Sequence, residues 1–433
     1  MDKFFKLSER KTDVRTEVMA GLTTFLTMAY ILAVEPGMLS SNGMGMAFEQ
    51  VFSATCLASA IATLVMGLWA DLPFVLAPGM GLNAFMVYTV CLGMGYDWKF
   101  ALSAVFVEGI IFLILTACNI REAIINSIPS NLKKAISVGI GFFIAFIGLV
   151  NAGIVKGNAS TLVELNPQWL STPGPIVAVI GLVIMIVLMV KRVKGAMLIG
   201  ILATTVIGIP LGVTNYAGGS FAPHAPYFFP FEFAHMASFD FITVCFTFLF
   251  VDMFDTVGTL IGCSTKAGLL KEDGSIPHVK EALFADAVGT TVGAILGCST
   301  VTTFVESSAG VVEGGKTGLT AVTAAILFLL AMFLSPIFES IPSAATAPAL
   351  ILVGVLMVSP IKDLEFDDLT ELVPAYLCIL FMVVTYSISN GILIGILGYT
   401  VLKLFTGKGK DITVMTWVVA ILFILEIIFS PLV

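Results

Sequence analysis

The sequence predicts an all-α integral membrane protein made of two inverted repeats, each with seven transmembrane segments. The 433 residues are 58% apolar and 12% charged, and the mean hydropathy is +1.04. Soluble domains carry roughly a quarter of their residues as charged side chains. We therefore expect the lipid bilayer to be the main surroundings of this chain, and we expect no nucleic-acid partner.

Apolar stretches of spanning length recur along the whole chain. A transmembrane helix needs roughly 20 mainly apolar residues. We predict fourteen spans, and one further apolar stretch, residues 412–430, whose relation to the membrane stays open. The predicted spans are residues 16–34, 50–70, 73–92, 98–117, 133–150, 174–190, 195–213, 240–264, 281–297, 300–313, 317–334, 343–359, 372–388 and 390–405.

The distribution of basic residues predicts the orientation. Cytoplasmic loops of membrane proteins collect Lys and Arg. If the N-terminus is cytoplasmic, 19 of the 21 basic residues lie on that side, and only Lys99 and Lys156 lie on the other. A wrong number of spans would scramble this alternation. We therefore predict a multi-pass protein of the plasma (inner) membrane with a cytoplasmic N-terminus.

Two similar segments indicate an internal repeat. Residues 195–206 read GAMLIGILATTV, and residues 390–401 read NGILIGILGYTV. They lie in predicted spans seven and fourteen, the last span of each half. Because seven is odd, the second half must begin on the opposite side of the membrane, so the repeats are inverted. The alternative is a chance match between short apolar segments.

Predicted spans three and ten are equivalent in this pairing, and both contain sequence that does not suit a lipid-facing helix. Span three contains APGMGLN at residues 77–83, and span ten contains STVTTFVESSAG at residues 299–310. Non-helical backbone at membrane depth is tolerated only where it is buried in protein or lines a cavity. We predict two broken spans that form a binding site. The alternative is that Pro78 and Gly79 only kink a packed helix.

Acidic side chains inside predicted spans are the first candidate functional groups, because a carboxylate in the bilayer is costly. Asp252 and Asp255 of span eight lie three residues apart, so a helix places them on one face. Mutual repulsion and desolvation favour a protonated carboxyl in such a pair. A carboxyl that changes protonation is what proton coupling requires. The alternative is a structural pair bound by hydroxyls or backbone.

Spans three and ten supply the other candidates. Glu306 lies among hydroxyl side chains in the interrupted segment, and we expect it to face the ligand. The Asn83 amide contacts either the ligand or the broken backbone. Glu108 and Asp286 are interpreted as structural or gating acids. The predicted substrate-binding residues are Glu306, Asp255, Asp252, Asn83, Phe304, Val305 and Ser307, and proton coupling is assigned to Asp252 and Asp255.

This set of groups suits a planar heterocycle such as a nucleobase. A carboxylate accepts hydrogen bonds from ring donors, amides at a helix start donate to ring acceptors, and Phe side chains form flat apolar walls. An inorganic anion fits poorly because no basic residue falls in the predicted site. No arrangement of Cys and His residues suits catalysis or metal binding, so we expect a protein that is not an enzyme and that has no cofactor or metal ion.

Five segments resemble the AzgA-like purine permeases, a branch of the nucleobase and cation symporters. The resemblance implies uptake of hypoxanthine, guanine or adenine with protons, which are expected ahead of sodium. It places the family's site residues on Glu306, Asp252, Asp255 and Asn83. The segments are TTFLTMAYILAVEP (residues 23–36), APGMGLNAF (77–85), FVDMFDTVGTL (250–260), ADAVGTTVGA (285–294) and TTFVESSAGVVEGGKTGL (302–319).

The same resemblance implies two domains, each built from both repeats. Residues 1–130 and 240–335 would form a core domain that carries the substrate, and residues 131–215 and 340–433 would form a gate domain. Whether two copies form a homodimer stays open. The alternatives are a passive channel or an anion exchanger on the same kind of fold, or a uracil or xanthine permease.

Overall fold

The computed structural model describes residues 2–41, 44–118, 129–216, 218–234, 236–267, 269, 276 and 278–429. Regular structure in these residues is helical, apart from two short antiparallel ribbons. Eight of the described helices are long and apolar enough to cross a membrane, and three shorter apolar helices accompany them. The predicted all-α membrane protein is confirmed.

Elements of the first half begin and end near the predicted span limits, but the first span is divided at Tyr30. After Val65 and Ala84 the helices α4 and α5 continue into wider π-helical turns, Met66–Ala70 and Phe85–Gly93. The elements are α1 Asp2–Phe5, α2 Val14–Met28, α3 Ile31–Ser40, α4 Phe48–Val65, β1 Leu76–Pro78, α5 Met80–Ala84, α6 Trp98–Ala117, α7 Ser130–Asn151, β2 Val155–Asn158, β3 Leu162–Leu165, α8 Pro173–Val190 and α9 Ala196–Gly208.

Elements of the second half follow the predicted spans in the same way. Short 3-10 turns at Met332–Leu334, Ser359–Asp363 and Gly409–Asp411 connect several of them. The elements are α10 Phe239–Ala267, α11 Val279–Leu296, β4 Val301–Thr303, α12 Ser307–Val312, α13 Gly318–Ala331, α14 Ser335–Glu339, α15 Ser343–Met357, α16 Leu369–Val384, α17 Ile388–Phe405 and α18 Val414–Phe429.

Capping side chains mark several helix starts. Asp13 accepts a hydrogen bond from the amide of Thr16 before α2, at 2.8 Å. Asp368 does the same for Thr370 before α16, also at 2.8 Å. Such caps satisfy first-turn amides that have no acceptor within the helix.

The helices pack in two groups. In the first, α2 contacts α13, α4 contacts α11 and α13, and α6 contacts α10 and α11. In the second, α7 contacts α15 and α16, α8 contacts α9 and α15, and α16 contacts α17. Glycines allow close approach: a Cβ on Gly318 would overlap the Gly67 carbonyl oxygen, and one on Gly141 would lie 2.8 Å from the Gly354 carbonyl oxygen.

Strands β1 and β4 cross in the interior of the first group. They pair antiparallel, with Ala77 opposite Thr302 at the centre of the ribbon. Beyond the strands, the Gly79 amide donates to the Thr300 carbonyl, and the Phe304 amide donates to the Val75 carbonyl, each at 3.0 Å. The extended backbone is therefore satisfied by the other half of the chain, as irregular backbone at membrane depth requires.

One hairpin differs from the sequence-based expectations, and one stretch that they left open is helical. Strands β2 and β3 form a hairpin between α7 and α8 that the span analysis did not predict. Within the open stretch 412–430, of which residue 430 lies outside the described residues, the helix α18 packs on α17 and α10. The Phe423 ring meets the Phe246 ring with centroids 5.8 Å apart, and Val419 and Ala420 are buried. α18 is therefore packed against the helix bundle along its first turns.

Candidate functional site

Glu306 lies immediately after β4, at the start of α12. Its side chain is nearly buried, with 9% of its surface exposed. The Tyr30 hydroxyl donates a hydrogen bond to Glu306 Oε1 at 2.7 Å. Tyr30 is buried and lies where α2 ends and α3 begins. Tyr30 is not among the residues predicted for the site, because a tyrosine within an apolar span carries no charge that marks it.

Asp255 approaches the ribbon from α10. A Cβ on Gly79 would lie 3.8 Å from Asp255 Oδ2, so the absence of a side chain on Gly79 allows this approach. Asp255 is partly exposed, and Asp286 and Glu306 are close enough to repel its charge. Three carboxyl groups from three elements therefore surround one region of the ribbon.

A chain of hydroxyls links β4 to α10 and α11. The hydroxyl oxygens of Thr302 and Thr256 lie 2.6 Å apart, and the Thr256 hydroxyl lies 2.6 Å from Asp286 Oδ1. Asp252, one turn before Thr256, is buried, and its Oδ1 lies at the longer distance of 3.4 Å from the Thr256 hydroxyl oxygen. Because Thr256 has one hydrogen, donation to Asp286 leaves Thr302 as the donor to Thr256. Asp252 and Asp286 thus lie at the anchor of the ribbon.

Asn83 lies in α5 and is fully buried. Neither its amide nitrogen nor its amide oxygen forms a hydrogen bond within the described part of the chain. Buried polar side chains nearly always have partners, so a buried unpaired amide needs an explanation. Asn83 is one turn beyond Gly79, whose carbonyl accepts the Asn83 backbone amide at 2.9 Å.

The other predicted site residues follow β4. Phe304 is nearly buried, and Val305 is 42% exposed. Ser307 is fully buried, and its hydroxyl accepts a hydrogen bond from the Val75 amide at 3.0 Å. The Ser307 hydroxyl therefore binds the backbone just before β1, while Phe304 and Val305 offer apolar surface beside Glu306.

Two further buried acids bind the residues that precede β4. Glu35 of α3 accepts hydrogen bonds from the Thr55 hydroxyl at 2.8 Å and from the Ser299 amide at 3.2 Å. Glu108 of α6 accepts one from the Thr300 hydroxyl at 3.0 Å. Glu35 is not among the predicted acids because it lies one position beyond the predicted first span, 16–34, whereas the observed α3 continues to Ser40; a longer first span would have marked it as an acid in an apolar helix.

The second helix group borders this region. A Cβ on Gly81 would lie 2.8 Å from Ile140 Cγ2 of α7. Further along, the Asn151 amide donates to the Tyr88 hydroxyl at 2.9 Å. These contacts place α5, with Asn83, at the boundary between the two groups.

The arrangement offers hydrogen-bond acceptors without a balancing cation. Among the described residues, neither Asp255 nor Glu306 forms an ion pair with Lys or Arg. The described residues also contain no cluster of three or more His, Cys, Asp or Glu that could hold a metal ion. Carboxyl groups in such surroundings can accept hydrogen bonds from a ligand or bind a proton.

Comparisons with known proteins cover nearly the whole chain. The model of the Permease family (Xan_ur_permease) matches residues 15–394. The chain is 44% identical over 433 residues to the guanine/hypoxanthine permease PbuO of Bacillus subtilis (strain 168), with 98% of this chain and 99% of that protein covered. It is 42% identical over 431 residues to the adenine permease AdeP of Escherichia coli (strain K12), with 99% and 96% covered.

A solved structure has the same fold. The transmembrane domain of the cyanobacterial bicarbonate transporter BicA matches with a TM-score of 0.68 at 14% identity, over 88% of this chain and 97% of that chain. At this identity the similarity shows the fold alone, and bicarbonate transport is a property of BicA that is not carried over to this chain.

Proposed function

This chain belongs to the Permease family, and from that premise we propose that it imports purine nucleobases (hypoxanthine, guanine or adenine) together with protons. Relatives that match almost end to end are named as guanine/hypoxanthine and adenine permeases. The proposal rests on three polar side chains near the paired strands β1 and β4, namely Glu306, Asp255 and the unpaired amide of Asn83.

Glu306 is proposed to bind the donor edge of the base. Its carboxylate already accepts one O–H donor, from Tyr30, so it is oriented for such bonds. The Asn83 amide, with both a donor and an acceptor, would pair with a neighbouring ring position. Phe304 and Val305 would contact the flat faces of the base. Asp252 and Ser307 would then act by supporting the ribbon, because their partners are protein groups.

Asp255 is proposed to carry the proton, with Asp252 as the second candidate. Asp255 and Glu306 repel each other when both are charged. A proton on Asp255 removes that repulsion and lets Glu306 stay ionised to accept the donors of the base. Binding of the proton and of the base would then favour each other, which is the thermodynamic requirement of symport.

The inverted repeat is supported by the contact pattern. If each span is paired with the one seven positions later, α4 corresponds to α11 and α6 corresponds to α13. The contact of α4 with α13 then has its counterpart in the contact of α11 with α6. The same pairing also matches α7 with α16 to α15 with α8, and α8 with α9 to α16 with α17. The similar segments 195–206 and 390–401 lie in α9 and α17, the paired last helices.

The packing of the helices in two groups supports the two domains implied by the family resemblance. We propose that residues 1–130 and 240–335 form a core that moves against a gate of residues 131–215 and 340–433. Broken spans three and ten would carry the ligand with the core, and the N-terminus would be cytoplasmic. Movement of this kind distinguishes a transporter with alternating access from a passive channel on the same fold.

Uptake of labelled hypoxanthine into cells that lack their own purine permeases tests the proposal. We expect saturable uptake against a gradient that rises at acid external pH, does not require sodium and is abolished by a protonophore. Glu306→Gln should raise KM at least about tenfold, the loss of about 1.4 kcal/mol, while Glu9→Gln on the surface should not. Uptake that persists with the protonophore, or an unchanged KM in Glu306→Gln, would contradict the proposal.

A further inference from the structure

The Tyr30 hydroxyl occupies one oxygen of the proposed ligand-binding carboxylate, at 2.7 Å from Glu306 Oε1. We propose that Tyr30 is a positioning residue that occupies one hydrogen-bonding position on Oε1 of Glu306 and thereby sets the selectivity between purines. This inference rests on the proposed function, in which Glu306 binds the donor edge of the base.

Tyr30 has little freedom to move away from Glu306. Only 1% of its surface is exposed, and it lies between two helices that are separated by Ala29 and Tyr30 alone. The Tyr30 hydroxyl is the side-chain donor to Glu306 in the described part of the chain, and the backbone amide of Glu306 also donates to this carboxylate. Asp255 is near enough to Tyr30 for their charges to interact. The phenol therefore lies against the carboxyl groups proposed for base and proton.

The consequence depends on the number of donors on the base. Hypoxanthine presents one ring N–H beside its carbonyl, and guanine presents a ring N–H and an adjacent exocyclic amino group. A carboxylate with both oxygens free binds two adjacent donors in parallel, and such bidentate bonds are the stronger ones. Because Tyr30 already donates to Oε1, a second donor on the base would have to share that oxygen with the phenol, so the arrangement suits a base with one donor. Hypoxanthine loses nothing by this arrangement, whereas the second bond of guanine is weakened by the competition.

Removal of the hydroxyl should therefore affect the two bases differently. In Tyr30→Phe, Oε1 no longer has the phenol as a competing donor, but the carboxylate loses the bond that orients it. We expect KM for hypoxanthine to rise about tenfold, and KM for guanine to rise less or to fall, so that their ratio shifts at least about threefold toward guanine. The maximal rate should change less than about twofold, because the change concerns binding of the base.

The experiment measures uptake of both labelled bases by wild type, Tyr30→Phe and the control Tyr399→Phe. Tyr399 is buried in α17 of the second group and binds the Asp411 carbonyl at 3.5 Å, so its variant loses the same atom far from Glu306. Failure of the wild type to take up either base would contradict the proposed function. A wild type that transports both bases, with a Tyr30→Phe variant that keeps the same KM ratio or changes only the maximal rate, would overturn the role of Tyr30.

A spectroscopic measurement covers the case in which Tyr30→Phe fails to reach the membrane. Incorporation of 3-fluorotyrosine at position 30 keeps the hydroxyl and nearly the same shape. Saturating hypoxanthine should shift the fluorine resonance of the purified full-length protein, because the base shares the carboxylate with the phenol. The same label at position 399 should not respond. An unshifted resonance at position 30 under saturating base overturns the inference.

Discussion

Asn83 has a buried amide without a hydrogen-bond partner in the described residues. Both polar atoms of its amide lack partners in the described residues, and the side chain is fully buried. Burial of an unpaired polar group costs about 1–3 kcal/mol. By contrast, the side-chain amide of Asn131, which is also buried, has partners. Its oxygen accepts a hydrogen bond from the Glu365 backbone amide at 2.7 Å, and its nitrogen donates to the Glu371 carbonyl at 3.2 Å. The two asparagines therefore have opposite relations to stability.

We expect Asn83→Leu to stabilise the ligand-free protein while it weakens binding of the base. Removal of the unpaired amide should recover part of the roughly 1–3 kcal/mol penalty, so the melting temperature of the purified protein should rise. The stabilisation that saturating hypoxanthine gives to the wild type should be absent. Asn131→Leu is the control and should lower the melting temperature. A lower melting temperature in Asn83→Leu with unchanged binding would assign Asn83 to structure.

The ribbon depends on the small size of Gly79. Its φ of −71° is open to any residue, so only space restricts the position. A Cβ there would lie 2.9 Å from Thr302 Cγ2 and 3.8 Å from Asp255 Oδ2. Thr302 is also the residue that joins the hydroxyl chain to Thr256. Gly79 therefore controls how closely the two strands and the acid of α10 meet.

Gly79→Ala should impair transport without any change of charge. Overpacking of this kind typically costs about 1–3 kcal/mol, and here the strain would displace Thr302 and Asp255. We expect KM for the base to rise and the melting temperature to fall. Gly37→Ala is the matched control, because nothing lies within 4 Å of a Cβ there. It should retain uptake, and equal behaviour of the two variants would show that the close approach at Gly79 has no functional role.

The start of α16 supplies a prediction about pH. Hydrogen bonds from the Lys408 ammonium and from Thr370 hold the pKa of Asp368 below its usual range. A depressed pKa means that Asp368 stabilises the fold above the ordinary aspartate pKa of about 3.9, and that this stabilisation is lost as the pH falls below it. Asp368→Asn should therefore lower the melting temperature at neutral pH, by an amount that shrinks below about pH 4.

Melting curves of wild type and Asp368→Asn between neutral and acid pH measure this difference. The exposed neighbour Asp367 provides the control variant, Asp367→Asn. A difference that is constant with pH would mean that the charge of Asp368 contributes nothing.

Few polar contacts join the two helix groups. Lys194, between α8 and α9, pairs with Glu313, just after α12, at 2.6 Å. Their side chains are 47% and 33% exposed, and exposed pairs of this kind contribute about 0–1 kcal/mol. A hydrogen bond between the Thr247 and Ser389 hydroxyls, at 3.1 Å, is another such contact. Contacts this weak are compatible with movement of one group against the other.

A covalent link across the Lys194 and Glu313 positions tests that movement. In a background without the native cysteines, Lys194→Cys with Glu313→Cys should take up base until a flexible bismaleimide joins them, and uptake should then fall at least about tenfold. Lys408→Cys with Asp368→Cys places the same link inside the second group, where the native pair is 2.6 Å apart. Uptake that survives the first link would contradict relative movement of core and gate.

Much of the fold followed from local sequence properties. The limits of α6, α8 and α17 agree with the predicted spans to within two residues, because hydropathy marks where a helix enters and leaves lipid. The family resemblance drawn from five segments is confirmed by the Permease family match and by the relatives above 40% identity. The division of the first span at Tyr30 was not predicted, because neither Ala29 nor Tyr30 is a helix breaker by type.

By itself, the sequence determined the membrane environment, the approximate spans, the family and the acids worth attention, since apolar length and the cost of charge in lipid are properties of short segments. Only the tertiary structure decided which side chains meet. Tyr30 and Glu306 are 276 positions apart, and Glu35 and Ser299 are 264 apart. Such pairs form because β1 and β4, from opposite halves of the chain, must satisfy each other's backbone inside the bundle. That requirement brings the surrounding helices and their buried acids to one place.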